Sequence, residues 1–271
     1  MTIRFRNRMT LAFFIISISC LLLGTFFTLF QYFSNNLIVP EVYTKGLSNN
    51  FFLRYNPICV FAGIFILMLY VCITSMIIYH SFEKTQAPDI VFFMIFLVAC
   101  LCDTSRIMVP AFQLSGTFSL FLLRVGNIHL FARLLAPLAL MGNTVMSTDD
   151  FRQNTDRNSI ILIIISMFFA EIIPLNTAVI LPNFCISYGY VKAIRGFTLL
   201  VCIVSTISLF YTNRKNEYKQ IMTVGFIMLC IGYSQIFYSY NIASLTAGAI
   251  FLGSGTYLYL NEVHKHYLWI D

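Results

Sequence analysis

Eight apolar runs of about bilayer length divide this sequence, and no other feature restricts its fold as much. A helix crosses the hydrocarbon core with about 20 predominantly apolar residues. The runs lie at approximately Met9–Phe30, Cys59–Tyr79, Ile90–Phe112, Phe118–Met146, Ile160–Ile180, Ile194–Tyr211, Ile221–Tyr238 and Ile242–Leu260. Backbone groups surrounded by lipid have no water to bond, so such runs satisfy themselves as helices. The expected fold is an all-α polytopic membrane helix bundle of eight transmembrane helices, a single integral membrane domain over residues 1–271. Only Ser239, Tyr240 and Asn241 separate the last two runs, and merging that hairpin gives the alternative count of seven.

Charge content agrees. Asp, Glu, Lys and Arg make up 10% of the chain, against about 25% in soluble domains, which is too little to cover a globule with polar surface. The same figure excludes a charge-rich disordered chain, and a net charge of +6 spread over loops is not a nucleic-acid-binding face. The expected surroundings are a lipid bilayer, the bacterial cytoplasmic (inner) membrane or an equivalent plasma membrane.

Lys and Arg concentrate in cytoplasmic loops. With eight spans and both termini cytoplasmic, Arg4, Arg6, Arg8, Lys84, Arg152, Arg157, Arg214, Lys215, Lys219 and Lys265 fall inside, and only Lys45, Arg54, Lys192 and Arg195 fall outside. Tyr267 and Trp269 fit an interfacial anchor past the last span. The first span follows a basic stretch, as a secretory signal does, but its apolar run continues through Leu21–Phe30 with no small-residue cleavage site, which favours an uncleaved anchor. The inner loops are short. The longer outer segments, 31–57 and 181–193, carry apolar stretches with Pro40 and Pro182 that suggest strand-like or interfacial structure against the bundle.

An ionisable side chain inside a span costs about 2.5–3.5 kcal/mol at the helix centre, so each needs a partner or a polar cavity. Asp103 and Arg106 fall in span three, Arg124 and Arg133 in span four with Asn127 and His129, and Glu171 in span five. Depth at 1.5 Å per residue puts Asp103 about 20 Å and Arg106 about 24 Å from the inner end of their span, so the cluster is biased outward. Asp103 with Arg106, and His129 with Arg133, share helix faces. Arg124 and Arg133 are half a turn out of phase and must serve different contacts. Three arginines against two carboxylates leave a surplus cation, which suits a ligand carboxylate, a phosphate or a lipid headgroup. A structural ion-pair network, snorkelling at the span ends and a proton or ion path are the competing explanations.

Other chemistries fit less well. Cys185 and Arg195 resemble the Cys and Arg of membrane-bound transpeptidases of the exosortase kind, but His264 and His266 fall at the opposite end and leave that triad open. His129 alone does not supply a pair of haem ligands, and Cys100-x-Cys102 points two ways around a helix. No catalytic, cofactor or metal set is therefore assigned. Cys59 and Cys185 both fall at the outer surface, where a disulfide is open to them. Small residues at Ala247-Gly248-Ala249 and Gly253-Ser254-Gly255 give the last span a packing face, within the bundle or toward a homo-oligomer. The expected function is a receptor-like or sensory membrane module that binds a small polar or anionic ligand, or lipid, in the charged cluster and signals to a partner protein. A secondary transporter is the alternative and an intramembrane enzyme the third.

Overall fold

The computed structural model describes residues 3–34, 52–83, 87–112, 114, 120–145, 155–213 and 217–268. Lys45, Lys84, Arg152, Arg214, Lys215 and Trp269, which entered the orientation argument, lie outside the described residues, as does most of the 31–57 segment. The described residues include eight long helices. They are α1 (Ile3–Phe33), α2 (Pro57–Ser81), α3 (Pro88–Asp103), α5 (Leu120–Val145), α6 (Thr155–Ile172), α7 (Val191–Asn213), α8 (Glu217–Phe237) and α9 (Ile242–Leu268). A 3-10 turn at Thr104–Ile107 joins α3 to the short α4 (Met108–Ala111). Seven of these stretches are long and apolar enough to cross a membrane. The chain is a multi-pass integral membrane protein.

The eighth long helix, α6, is not among the seven. It has 18 residues and carries Asp156, Arg157 and Glu171, yet Ile160, Ile164 and Phe168 stand exposed along it as an apolar, lipid-compatible face. The last two runs do not merge, because α8 and α9 are distinct helices joined through Tyr238–Asn241.

The fifth run departs from expectation. It stops being helical at Ile172, and Leu175–Ile180 is a strand, β1, paired antiparallel with β2 (Ile186–Tyr188). Pro174 is the cause: its ring disfavours helical backbone at the preceding residue and its nitrogen has no proton for the helix ladder. The hairpin closes on itself. Phe184 N–H donates to the Leu181 carbonyl at 2.9 Å, Leu181 N–H to Cys185 O at 2.7 Å, and Gly189 N–H to Pro174 O at 2.8 Å. Pro182 and Asn183 occupy the turn centre, and Phe184 sits in the left-handed region at φ 63°, where a hairpin of this length usually carries Gly.

The main core fills the space between α2, α3, α5, α8 and α9, with Phe93, Phe96, Phe226 and Tyr259 in ring contact. Glycines set the α8–α9 distance. A Cβ on Gly232 would stand 2.4 Å from Leu252 N, and one on Gly255 would stand 2.6 Å from Leu229 N, so the two backbones touch. The α1 helix lies at the margin, tied by Arg6 and Asn7, which donate to the carbonyls of Phe82 and Glu83 at the end of α2. A cation there complements the negative helix terminus.

Candidate functional site

Two prolines mark where the charges gather. Pro110 and Pro137 each follow an arginine by four residues, Arg106 and Arg133, and each removes the backbone donor that would have bonded that arginine's carbonyl in an α-helix. Before Pro110 the chain tightens into the Thr104–Ile107 3-10 turn. Side chains three apart eclipse in that geometry, and the Arg106 guanidinium is brought over Asp103, Nη2 to Oδ2 3.7 Å, with both side chains fully buried. His129 reaches the same carboxylate from α5, Nδ1 to Oδ1 2.9 Å.

Phe237, the last residue of α8, forms the hub. His129 stacks on its ring at 5.5 Å with 13° between planes, Arg133 lies 3.8 Å over it and Arg106 5.2 Å. The ring quadrupole attracts each cation without adding a charge of its own. Arg133 Nη2 also donates to Tyr238 Oη at 2.9 Å, and Arg106 Nη1 donates to the Phe237 carbonyl at 3.1 Å and the Asn183 carbonyl at 3.5 Å.

The β1–β2 hairpin and the Tyr238–Asn241 turn roof this nucleus. The Tyr55 hydroxyl donates to Pro182 O at 3.1 Å, and Asn56 N–H donates to Tyr240 O at 2.8 Å, which ties the roof to the start of α2. Burial pushes the phenols of Tyr55, Tyr188 and Tyr240 up from their ordinary value, while Arg133 pulls Tyr188 the other way. All three therefore remain neutral hydrogen-bonding groups at physiological pH.

The residues singled out from the sequence divide into two sets. Asp103, Arg106, His129 and Arg133 form the nucleus, exposed by 5% or less. Arg124, Asn127 and Glu171 lie apart on an open flank, where Glu171 accepts from Arg124 at 3.1 Å and from Asn127 at 3.0 Å. The side chains of Arg124 and Glu171 are 69% and 47% exposed. Half-turn phasing between Arg124 and Arg133 is the reason for the split.

The nucleus is incompletely paired. Among the described residues, Arg106 Nε and Nη2, Arg133 Nε, His129 Nε2 and Asn183 Nδ2 are buried nitrogens with no hydrogen-bond partner, and the Asp103 oxygens make charge contacts without a directed hydrogen bond. Most buried polar groups in folded proteins are bonded, so a cluster of exceptions calls for an explanation.

Sequence reasoning missed Phe237, Asn183 and the approach of Cys185 to His129, Sγ to Nδ1 3.8 Å. The Pro182-Asn183 pair was a legible turn signal, but nothing distinguished Phe237 from the other 27 phenylalanines. Cys185 and Asp103 both face Nδ1 of the ring. A thiol–imidazole–carboxylate relay needs them on opposite nitrogens, so this arrangement is not such a triad. Cys59 and Cys185, considered as a disulfide, are both free and buried. Among the described residues no group of His, Cys, Asp and Glu is arranged to hold a metal ion.

No protein-family model, curated protein or solved structure matches this chain.

Proposed function

We propose that this membrane protein is a receptor-like or sensory module whose nucleus at Asp103, Arg106, His129 and Arg133 receives a small anionic ligand. The observation that carries this is the surplus of buried nitrogens: two guanidiniums and an imidazole face one carboxylate, and among the described residues four of their nitrogens, three of them guanidinium donors, have no hydrogen-bond partner. A fully paired network would have supported a purely structural role. A carboxylate or phosphate supplies acceptors in the planar, forked arrangement that guanidinium groups recognise. The hairpin and the Tyr238–Asn241 turn cover the nucleus, so a ligand that displaces their contacts changes how α5 and α8 meet. That change is what a partner protein would detect.

Thermal unfolding of the purified protein with sodium phosphate or succinate, against sodium chloride at equal ionic strength, tests the reading. The expected result is a rise in midpoint that Arg133→Gln removes. No rise with either anion would count against the site. Uptake of labelled phosphate or succinate into proteoliposomes separates the alternative: flux that collapses in Glu171→Gln would replace the sensor with a transporter.

A further inference from the structure

A groove of about 440 Å³ runs between α2 and α9, away from the charged nucleus. Leu69, Ile73 and Ile77 wall it on α2, and Ala249, Gly253 and Tyr257 on α9. Its lining extends from Ile66 to Ser81 on one helix and from Ala249 to His264 on the other, about 22 Å at 1.5 Å per residue. That length reaches from one membrane interface past the middle of the hydrocarbon core. Gly253 opens onto free space, with nothing within 4 Å of a Cβ built there, whereas Gly232 and Gly255 are closed by the α8–α9 contact.

Polarity is uneven along the groove. The stretch away from Ser81 is apolar apart from the hydroxyls of Tyr70, Thr74, Thr256 and Tyr257, of which Tyr70 and Thr256 bond each other at 2.8 Å. Ser81, Asn261 and His264 gather at the end where α2 finishes. There His264 Nδ1 has no hydrogen-bond partner among the described residues, and its ring packs edge-on to Phe82 at 5.2 Å. Arg6 donates to the Phe82 carbonyl, and Lys265 stands exposed beside His264, paired with Glu262 at 2.8 Å. Hydrogen-bonding side chains, with Arg6 and the Lys265–Glu262 pair beside them, thus gather at one end of an apolar slot.

We propose that this groove holds one acyl chain of an anionic phospholipid, with the phosphate at the Ser81, Asn261 and His264 end. An apolar channel that ends in hydrogen-bonding side chains beside Arg6 and Lys265 is complementary to a lipid whose acyl chain leads to a phosphate headgroup. A second transmembrane helix needs a broad small-residue face to approach closely, whereas Ile73 and Tyr257, 58% and 70% exposed, stand out on the two walls.

Native mass spectrometry of the full chain, released from micelles with added dioleoyl phosphatidylglycerol or dioleoyl phosphatidylcholine, tests this. The expected result is one retained phosphatidylglycerol, retention reduced roughly tenfold by Gly253→Leu, which fills the slot where there is room. His264→Ala is expected to abolish the preference for phosphatidylglycerol over phosphatidylcholine while a chain is still retained. If Gly253→Leu folds poorly, Ile73→Trp blocks the slot from the opposite wall. Wild-type retention in both blocked variants would overturn the proposal, and so would a drop in the dimer fraction on blocking, which would make a second copy the occupant.

Discussion

The Arg133 guanidinium lies 3.8 Å over the ring of Phe237. In a buried setting with one carboxylate for several cations, an aromatic face is a counter-group that carries no charge to desolvate. Arg106 and His129 use the same ring, so the last residue of α8 joins two guanidiniums and an imidazole from two other segments of the chain.

Replacement of Phe237 separates packing from ring electrostatics. Phe237→Ala is expected to destabilise by about 3–5 kcal/mol through lost burial. Phe237→Leu keeps much of the apolar volume and loses the ring face, at about 1–2 kcal/mol. Unfolding by SDS in mixed micelles measures both, and a Phe237→Leu variant as stable as the parent protein would refute the cation–ring contribution.

The two charged sets should respond differently to neutralisation. Asp103→Asn leaves Arg106 and His129 buried without a counter-charge, and a loss of about 3–5 kcal/mol is expected. Glu171→Gln breaks a pair open to its surroundings, and about 1 kcal/mol or less is expected. The same unfolding assay tests the contrast, which fails if the two variants lose similar amounts.

Phe184 provides a test of backbone strain. It is 1% exposed and packs against Phe61 at 4.7 Å, yet holds φ at 63°. Phe184→Ala and Phe184→Gly both lose the ring, but only Gly removes the left-handed penalty of about 1–2 kcal/mol. The Gly variant is therefore expected to be the more stable, the reverse of the usual order in a strand, and thermal midpoints read it directly.

The roof tyrosines set an alkaline limit. Burial raises the phenols of Tyr55, Tyr188 and Tyr240 above the ordinary value of 10.0. The unfolded chain then loses phenolic protons at lower pH than the folded one. Their contribution is complete below about pH 9 and falls as pH rises through 10 and beyond. A Tyr55→Phe, Tyr188→Phe, Tyr240→Phe variant is expected to show a shallower fall in unfolding midpoint between pH 9 and 11.

Span positions were legible in the sequence because apolar length is a direct physical requirement of the bilayer. Legibility failed where a local backbone preference acted inside an apolar run. Ile160–Ile180 satisfies a hydropathy criterion throughout, but Pro174 divides it into α6 and β1. For the charged residues, helical phase correctly separated Arg124 from Arg133. What phase along one helix cannot supply is the neighbour across the gap. Asn183, Cys185 and Phe237 join Asp103 and His129 through tertiary packing of segments more than 50 residues away, and a phenylalanine in an apolar span has no local signature of a role in holding cations.

The glycine contacts between α8 and α9 have a mechanical consequence. With Gly225, Gly232 and Gly255 bringing the two backbones into touch, neither helix has side-chain slack to absorb a shift of the other. The pair therefore behaves as one lever. Its α8 arm ends in the ring that gathers Arg106, His129 and Arg133, and its α9 arm forms one wall of the slot beside α2. A displacement at Phe237 is geometrically tied to the width of that slot.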